Sequence, residues 1–230
     1  MLAGADTTAI GIKAILYYVL QSPSVLAKLQ AELDAANLPY PAPYEVAVKL
    51  PYLEAVIKES LRIHPIIGHI LERIVPATGL ALADGTILPP GTIVGMQPWV
   101  VTRAKEVYGD DVETFRPERW LKGEGESEEA AEVRVKRMRD VDFTFGGGNR
   151  VCIGRNLATV ELYKVTATLF SRYSVSLALF EMRFLFYLLM GGQMELQQDW
   201  HLRYWWFVFA DKIRVKITPR TSGGKVEKGT

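Results

Sequence analysis

The sequence predicts a mainly α-helical protein with small β-sheets, an α+β fold. Two observations carry that expectation. Apolar residues recur at gaps of three and four in several long stretches, as on the buried face of a helix. Between those stretches, residues 71–96 change to short β-rich runs punctuated by Gly and Pro.

The chain opens on Leu2-Ala3-Gly4-Ala5-Asp6-Thr7-Thr8-Ala9-Ile10 and continues through Ile12, Ile15, Leu16, Val19 and Leu20 in a helical pattern. No basic n-region and no cleavage site mark a signal peptide. No capping group precedes the pattern, so the helix reads as one entered partway, an expectation of truncation. Ser22-Pro23 signals the start of a second helix, Ser24 to about Ala36. Pro51 opens a third, Tyr52 to about Ile63, with Leu53, Val56, Ile57 and Leu61 on one stripe and Pro65 ending it. Asp84-Gly85, between Ala81-Leu82-Ala83 and Thr86-Ile87-Leu88, predicts a hairpin. Pro89-Pro90-Gly91 turns the chain into a strand from Thr92 to Met96. Residues 104–142 read as a long connection with short helical pieces. In it, Glu126, Glu128, Glu129 and Glu132 precede Arg134, Lys136, Arg137 and Arg139. Such a block is a solvated helix with opposite-charge neighbours such as Glu132 and Lys136. A last long helix is expected from about Arg155 to Tyr173.

The 230 residues suit one large domain or two small ones, and the formal net charge is +1. So balanced a chain has no global attraction for nucleic acid. The single cysteine, Cys152, excludes a disulfide-stapled scaffold and any multi-Cys zinc or iron–sulfur site.

Three short stretches carry chemistry. Phe145-Gly146-Gly147-Gly148-Asn149-Arg150-Val151-Cys152-Ile153-Gly154 places the cysteine between a glycine-rich loop and a helix start. Three glycines let backbone approach something flat or bulky. The helix dipole, the N–H groups of Ile153 and Gly154, and Arg150 favour an anionic sulfur. Cys152 is therefore a candidate ligand or nucleophile, with a buried structural cysteine as the alternative. A hydrolase would need a partner among His64, His69 and His201. Glu59 and Arg62, three apart, share a helix face, which by itself also describes a surface pair. In Ala3-Gly4-Ala5-Asp6-Thr7-Thr8, small residues leave room beside the helix, Gly4 weakens it locally, and an acid followed by hydroxyls is suited to relaying protons.

Taken in this order, the stretches resemble the C-terminal half of a cytochrome P450, a haem-thiolate monooxygenase. Phe145, Gly148, Arg150, Cys152 and Gly154 match the family's cysteine signature in full. Glu59 and Arg62 match its E-x-x-R motif, Ala3 to Thr8 its oxygen-activating groove, and Pro117-Glu118-Arg119-Trp120 its P-E-R-F/W segment. The resemblance covers about residues 1–177 and resumes for about 199–218. It implies a truncated cytochrome P450 fold binding haem b, with Cys152 as the axial thiolate on iron. It further implies that Asp6 and Thr7 deliver protons to dioxygen at the haem, and that Ala3 and Gly4 form a kinked groove for dioxygen. Arg73 and Arg150 would pair with haem propionates, with Phe145, Gly148 and Gly154 shaping the cysteine loop. Glu59, Arg62 and Arg119 would form a buried charge triad behind the haem. Ile66 to Leu71 match a substrate-facing segment, which makes His69 either a pocket residue or a simple loop histidine. The texture of residues 71–121 resembles filamentous-fungal members, nearest to pisatin-demethylase-like and benzoate-hydroxylase-like groups.

The implied activity inserts one oxygen atom from dioxygen into a small apolar or aromatic organic substrate. Electrons would come from NADPH-cytochrome P450 reductase at the cytosolic face of the endoplasmic reticulum, and the parent would be held there by an N-terminal anchor that this chain lacks. The alternative is a catalytically inactive fragment unable to hold haem alone. Residues 1–220 are expected to form the C-terminal part of a single domain, with 221–230 a disordered tail. Residues 178–198 depart from the family pattern. They read as translated intron or mis-annotated sequence, with a genuine insertion or a membrane-surface helix as alternatives. As a span they are too short and carry Glu181 and Arg183.

Overall fold

The computed structural model describes residues 2–177, 202–204, 206–210 and 213–220. The atypical stretch 178–198, the segment Asp199-Trp200-His201 and the tail 221–230 lie outside the described residues.

Helices α1 (Leu2–Gln21), α2 (Pro23–Ala36), α4 (Pro51–Ile63) and α8 (Arg155–Arg172) pack around one core, with the short α3 (Tyr44–Ala47) on α8. Ile15, Val19, Leu29, Leu33, Leu53, Val56, Ala167 and Phe170 fill it. Each large apolar side chain so buried contributes roughly 1.5–3 kcal/mol. The predicted stripe of the third helix, Leu53, Val56, Ile57 and Leu61, faces this core. A second cluster (Ala55, Tyr108, Val112, Trp120, Met138) joins the back of α4 to the long connection. That connection carries the short helices α5 (Pro98–Val101) and α6 (Lys105–Tyr108), a 3₁₀ turn at Pro117–Trp120, and α7 (Glu128–Asp140). Along α7, Lys136 reaches Asp140 at 2.6 Å rather than Glu132, the pairing the sequence suggested. Arg134 instead turns back to Glu126 at 2.7 Å, closing the loop before the helix.

The entry to α4 has a feature with no local sequence signal. Its N-cap, Leu50, has no side-chain acceptor, and Pro51 occupies the first turn. Both oxygens of Glu32, on α2, accept the free N–H groups of Tyr52 and Leu53 at 2.8 Å. A carboxylate there also meets the positive end of the helix dipole. Glu32→Ala is expected to cost about 1–2 kcal/mol, read as a lower midpoint in urea unfolding; an unchanged midpoint would rule out this cross-helix cap.

All sheets among the described residues are two-stranded and antiparallel. The pairs are β1 (Leu71–Ile74) with β4 (Ile93–Met96), β2 (Leu80–Ala81) with β3 (Ile87–Leu88), β5 (Tyr173–Leu177) with β8 (Val215–Pro219), and β6 (Leu202–Tyr204) with β7 (Val208–Ala210). The predicted hairpin is β2–β3, with Gly85 at φ +86° and Asp84 accepting the Thr86 N–H. Helix α8 ends one residue earlier than expected, because Tyr173 begins β5. In β4 a Cβ on Gly95 would lie 2.9 Å from the Leu71 carbonyl oxygen of β1. Because backbone cannot yield as a side-chain tip can, Gly95→Ala is expected to lower stability by about 1–3 kcal/mol. A thermal melt equal to the parent's would show that the strands separate freely.

Candidate functional site

Main-chain bonds shape the cysteine loop. Gly146 and Gly148 take φ +70° and +61°, a region open to glycine, and Gly148–Arg150 forms a 3₁₀ turn. The Cys152 N–H donates to the Phe145 carbonyl at 2.8 Å, and its own carbonyl accepts the Arg155 N–H at 3.2 Å. Phe145 is half-buried. Gly154 caps α8, and a Cβ there would lie 3.8 Å from Cys152 Sγ. The cysteine is exposed, so it is not a buried structural residue. Contrary to expectation, no N–H of Ile153 or Gly154 bonds the sulfur among the described residues. The helix begins at Arg155, and Cys152 therefore sits ahead of the cap rather than on it. Close to the thiol in sequence, the apolar side chains of Val151, Ile153 (104% exposed) and Leu157 are exposed.

Strand β1 flanks this loop. Arg73 Nη2 donates to the Gly147 carbonyl at 3.0 Å, and a Cβ on Gly146 would come 4.0 Å from Leu71. Arg73 and Arg150 are both exposed, and Arg73 Nη1 also donates to the Glu72 carbonyl at 2.7 Å. On the opposite side, α1 meets α8 where Gly11 faces Leu162, a Cβ there standing 3.2 Å from the leucine. The helix is continuous through Ala3 and Gly4, so it has no break there, and Gly4 faces open space, with nothing within 4 Å of a Cβ. Asp6 is exposed, Thr7 half-buried and Thr8 buried.

Behind this frame Glu59, Arg62 and Arg119 come together in full burial, at 0%, 2% and 2% exposed. Glu59 Oε1 accepts from Arg62 Nη2 and Arg119 Nε at 2.8 Å and from the Arg116 N–H at 3.0 Å. Its Oε2 accepts from Arg62 Nε and Trp120 Nε1 at 2.9 Å. The remaining guanidinium N–H groups bond carbonyls of the connection: Thr102, Val112 and Thr114 for Arg62, and Tyr108, Asp111 and Thr114 for Arg119. Asp111 joins as a second acid, its Oδ1 3.1 Å from Arg119. A hydrogen bond from Arg116 holds the Asp111 carboxyl down to about 2, and Arg119 adds to that against the cost of burial. Burial opposes the charge of Arg119, but Glu59 and Asp111 outweigh it and hold its pKa above the ordinary value. Sequence reasoning missed Trp120 and Asp111 as members; the former's place at the end of Pro117-Glu118-Arg119-Trp120 was the available signal.

His69, exposed, stacks on Trp206 with ring centroids 5.7 Å apart. His201 lies outside the described residues.

The site thus defines a class: one accessible thiol on a glycine-rich loop, flanked by cationic side chains and an apolar rim, on a helical frame fixed by a buried acid–arginine cluster. The cytochrome P450 family model matches residues 1–184, and the chain belongs to that family. It is 48% identical over 177 residues to a cytochrome P450 monooxygenase of Aspergillus candidus, covering 76% of this chain and 33% of that protein. To a cytochrome P450 monooxygenase of Emericella nidulans it is 37% identical over 228 residues, covering 97% of this chain and 41% of the relative. To the pisatin demethylase of Fusarium vanettenii it is 33% identical over 220 residues, covering 96% and 38%. The chain therefore spans about a third to two fifths of the length of these fungal relatives. A crystal structure of a cytochrome P450 aligns over 95% of this chain and 43% of its own, with a TM-score of 0.72 and 20% identity, which establishes the fold.

Proposed function

We propose that the chain is the cysteine-bearing part of a haem-dependent monooxygenase. The carrying observation is the single thiol, exposed at the foot of α8 on a loop shaped by main-chain bonds, in a chain of this family. The residues present fit a haem: a soft sulfur donor, two exposed guanidinium groups for carboxylates, glycine backbone for close approach and apolar side chains for a flat ring. Cys152 would supply the thiolate that holds the iron, and Arg73 and Arg150 would pair with the propionates. Phe145, Gly148 and Gly154 would shape the cysteine loop that holds the haem. Bound there, haem supplies the activation of dioxygen by which one oxygen atom enters an organic substrate. Ala3 and Gly4 would leave space along α1, while the Asp6 carboxylate and the Thr7 hydroxyl would hold and pass protons into it. Glu59, Arg62 and Arg119 would keep α4 and the connection rigid behind the loop. The substrate class is small, apolar or aromatic. The electron donor is NADPH-cytochrome P450 reductase, and the site of action is the cytosolic face of the endoplasmic reticulum.

A second reading is that these 230 residues alone hold no haem; the exposed apolar rim of the cysteine loop favours it. Reduction of the haem-reconstituted chain under carbon monoxide decides between the two. A strongly red-shifted Soret band supports thiolate ligation by this chain, and failure to take up haem supports the second reading.

A further inference from the structure

His64 is fully buried at the C-terminal end of α4, immediately before Pro65, and its ring meets Trp99 edge-on at 5.6 Å. The residues on either side of it are gripped from α5 and its C-terminal flank. Trp99 Nε1 donates to the Pro65 carbonyl at 3.0 Å, and Arg103 Nη2 donates to the Ile63 carbonyl at 3.1 Å while its guanidinium lies 4.7 Å over the Trp99 ring. The turn that follows is laced to the C-terminal hairpin: Val208 N–H donates to Ile66, and Gly68 N–H to Trp206, both at 2.9 Å. Gln97 Nε2 ties Gly68 from the other side at 3.0 Å. Beyond it β1 carries Arg73 to Gly147 of the cysteine loop.

Among the described residues, the charged groups facing His64 are cations, Lys13 from α1 and Arg103 from the end of α5. The acid nearest Arg103, Glu113, is spent on that arginine at 2.9 Å. From β7 the Val208 backbone faces the ring and favours the proton, but burial dominates and pushes the imidazole down to about 4. A neutral ring is therefore what the packing accommodates.

We propose that His64 is a positioning residue and a pH-sensitive pin. As a neutral imidazole against Trp99 it holds the α4–β1 turn and the C-terminal hairpin together, and its protonation releases them. The proposal needs no haem and stands apart from the ligand assignment of Cys152. Because the folded form resists the proton, the pin's stabilisation is full above about pH 6.5 and is lost as pH falls toward 4.

The test follows thermal unfolding and tryptophan emission of the haem-free chain from pH 7.5 to 3.5, for the parent, His64→Gln and Trp99→Phe. The parent Tm is expected to fall about 4–8 °C further between pH 7 and pH 5 than that of His64→Gln. The parent emission should change as pH falls through about 4, where the folded ring takes its proton, and that change should vanish in Trp99→Phe. Equal pH profiles of Tm in parent and His64→Gln would overturn the proposal. Should His64→Gln not fold, an emission change that persists undiminished in Trp99→Phe would overturn it equally.

Discussion

Glu59→Ala is expected to abolish cooperative folding of the chain. The carboxylate accepts from two guanidinium groups, an indole and a backbone N–H, all out of water. Two arginines at 2% exposure cannot turn to solvent without dragging α4 or the 3₁₀ turn with them. Removing one partner of such a cluster costs about 3–5 kcal/mol, because it strands buried charge. Net stabilities of domains run from about 5 to 15 kcal/mol, so this loss consumes much or all of it. Glu59→Gln keeps the volume but not the charge, and should fall between the parent and the alanine variant. Urea titrations followed by far-UV circular dichroism give the answer. An alanine variant that unfolds within about 0.5 kcal/mol of the parent would mean the cluster adds nothing.

Cys152→Ala is expected to remove the red-shifted carbon monoxide band completely while leaving the fold in place. The two expectations belong together. Nothing in the shape of the loop depends on the sulfur, since the Phe145 and Arg155 bonds are main-chain and the side chain is exposed. A surface truncation of that kind changes stability by no more than about 0.5 kcal/mol. Loss of the band with an unchanged thermal melt isolates the thiolate as the missing group. Survival of the band in the alanine variant would take the ligand role away from Cys152, and there is no second cysteine to inherit it.

Some of this was legible residue by residue. Pro51 and Pro65 bracketed α4, and its apolar spacing named the side that packs. Asp84-Gly85 fixed a hairpin because only a few residue types tolerate that turn. What stayed hidden depends on contacts between distant parts of the chain. Glu59 and Arg62 read locally as a pair on any helix surface; their burial follows from residues 102–120 wrapping the back of α4. Glu32 capping α4 from another helix leaves no local mark, nor does His69 stacking on Trp206. The choice of Asp140 over Glu132 by Lys136 turns on rotamers that spacing does not specify. The place of the sulfur, between the glycine-rich loop and a helix starting at Arg155, was legible.

The buried arginines hold the connection in a way that reaches beyond stability. Arg62 and Arg119 bind it through the carbonyls of Thr102, Tyr108, Asp111, Val112 and Thr114. Every residue type presents that carbonyl. Apart from the buried Tyr108 and Val112 and the Asp111 carboxylate, the path of the chain there is read by its backbone rather than spelled by its side chains, so its exposed positions are free to drift while shape is inherited. An exposed side chain such as Asp110 is open to wholesale substitution, whereas a one-residue deletion would move each carbonyl out of reach.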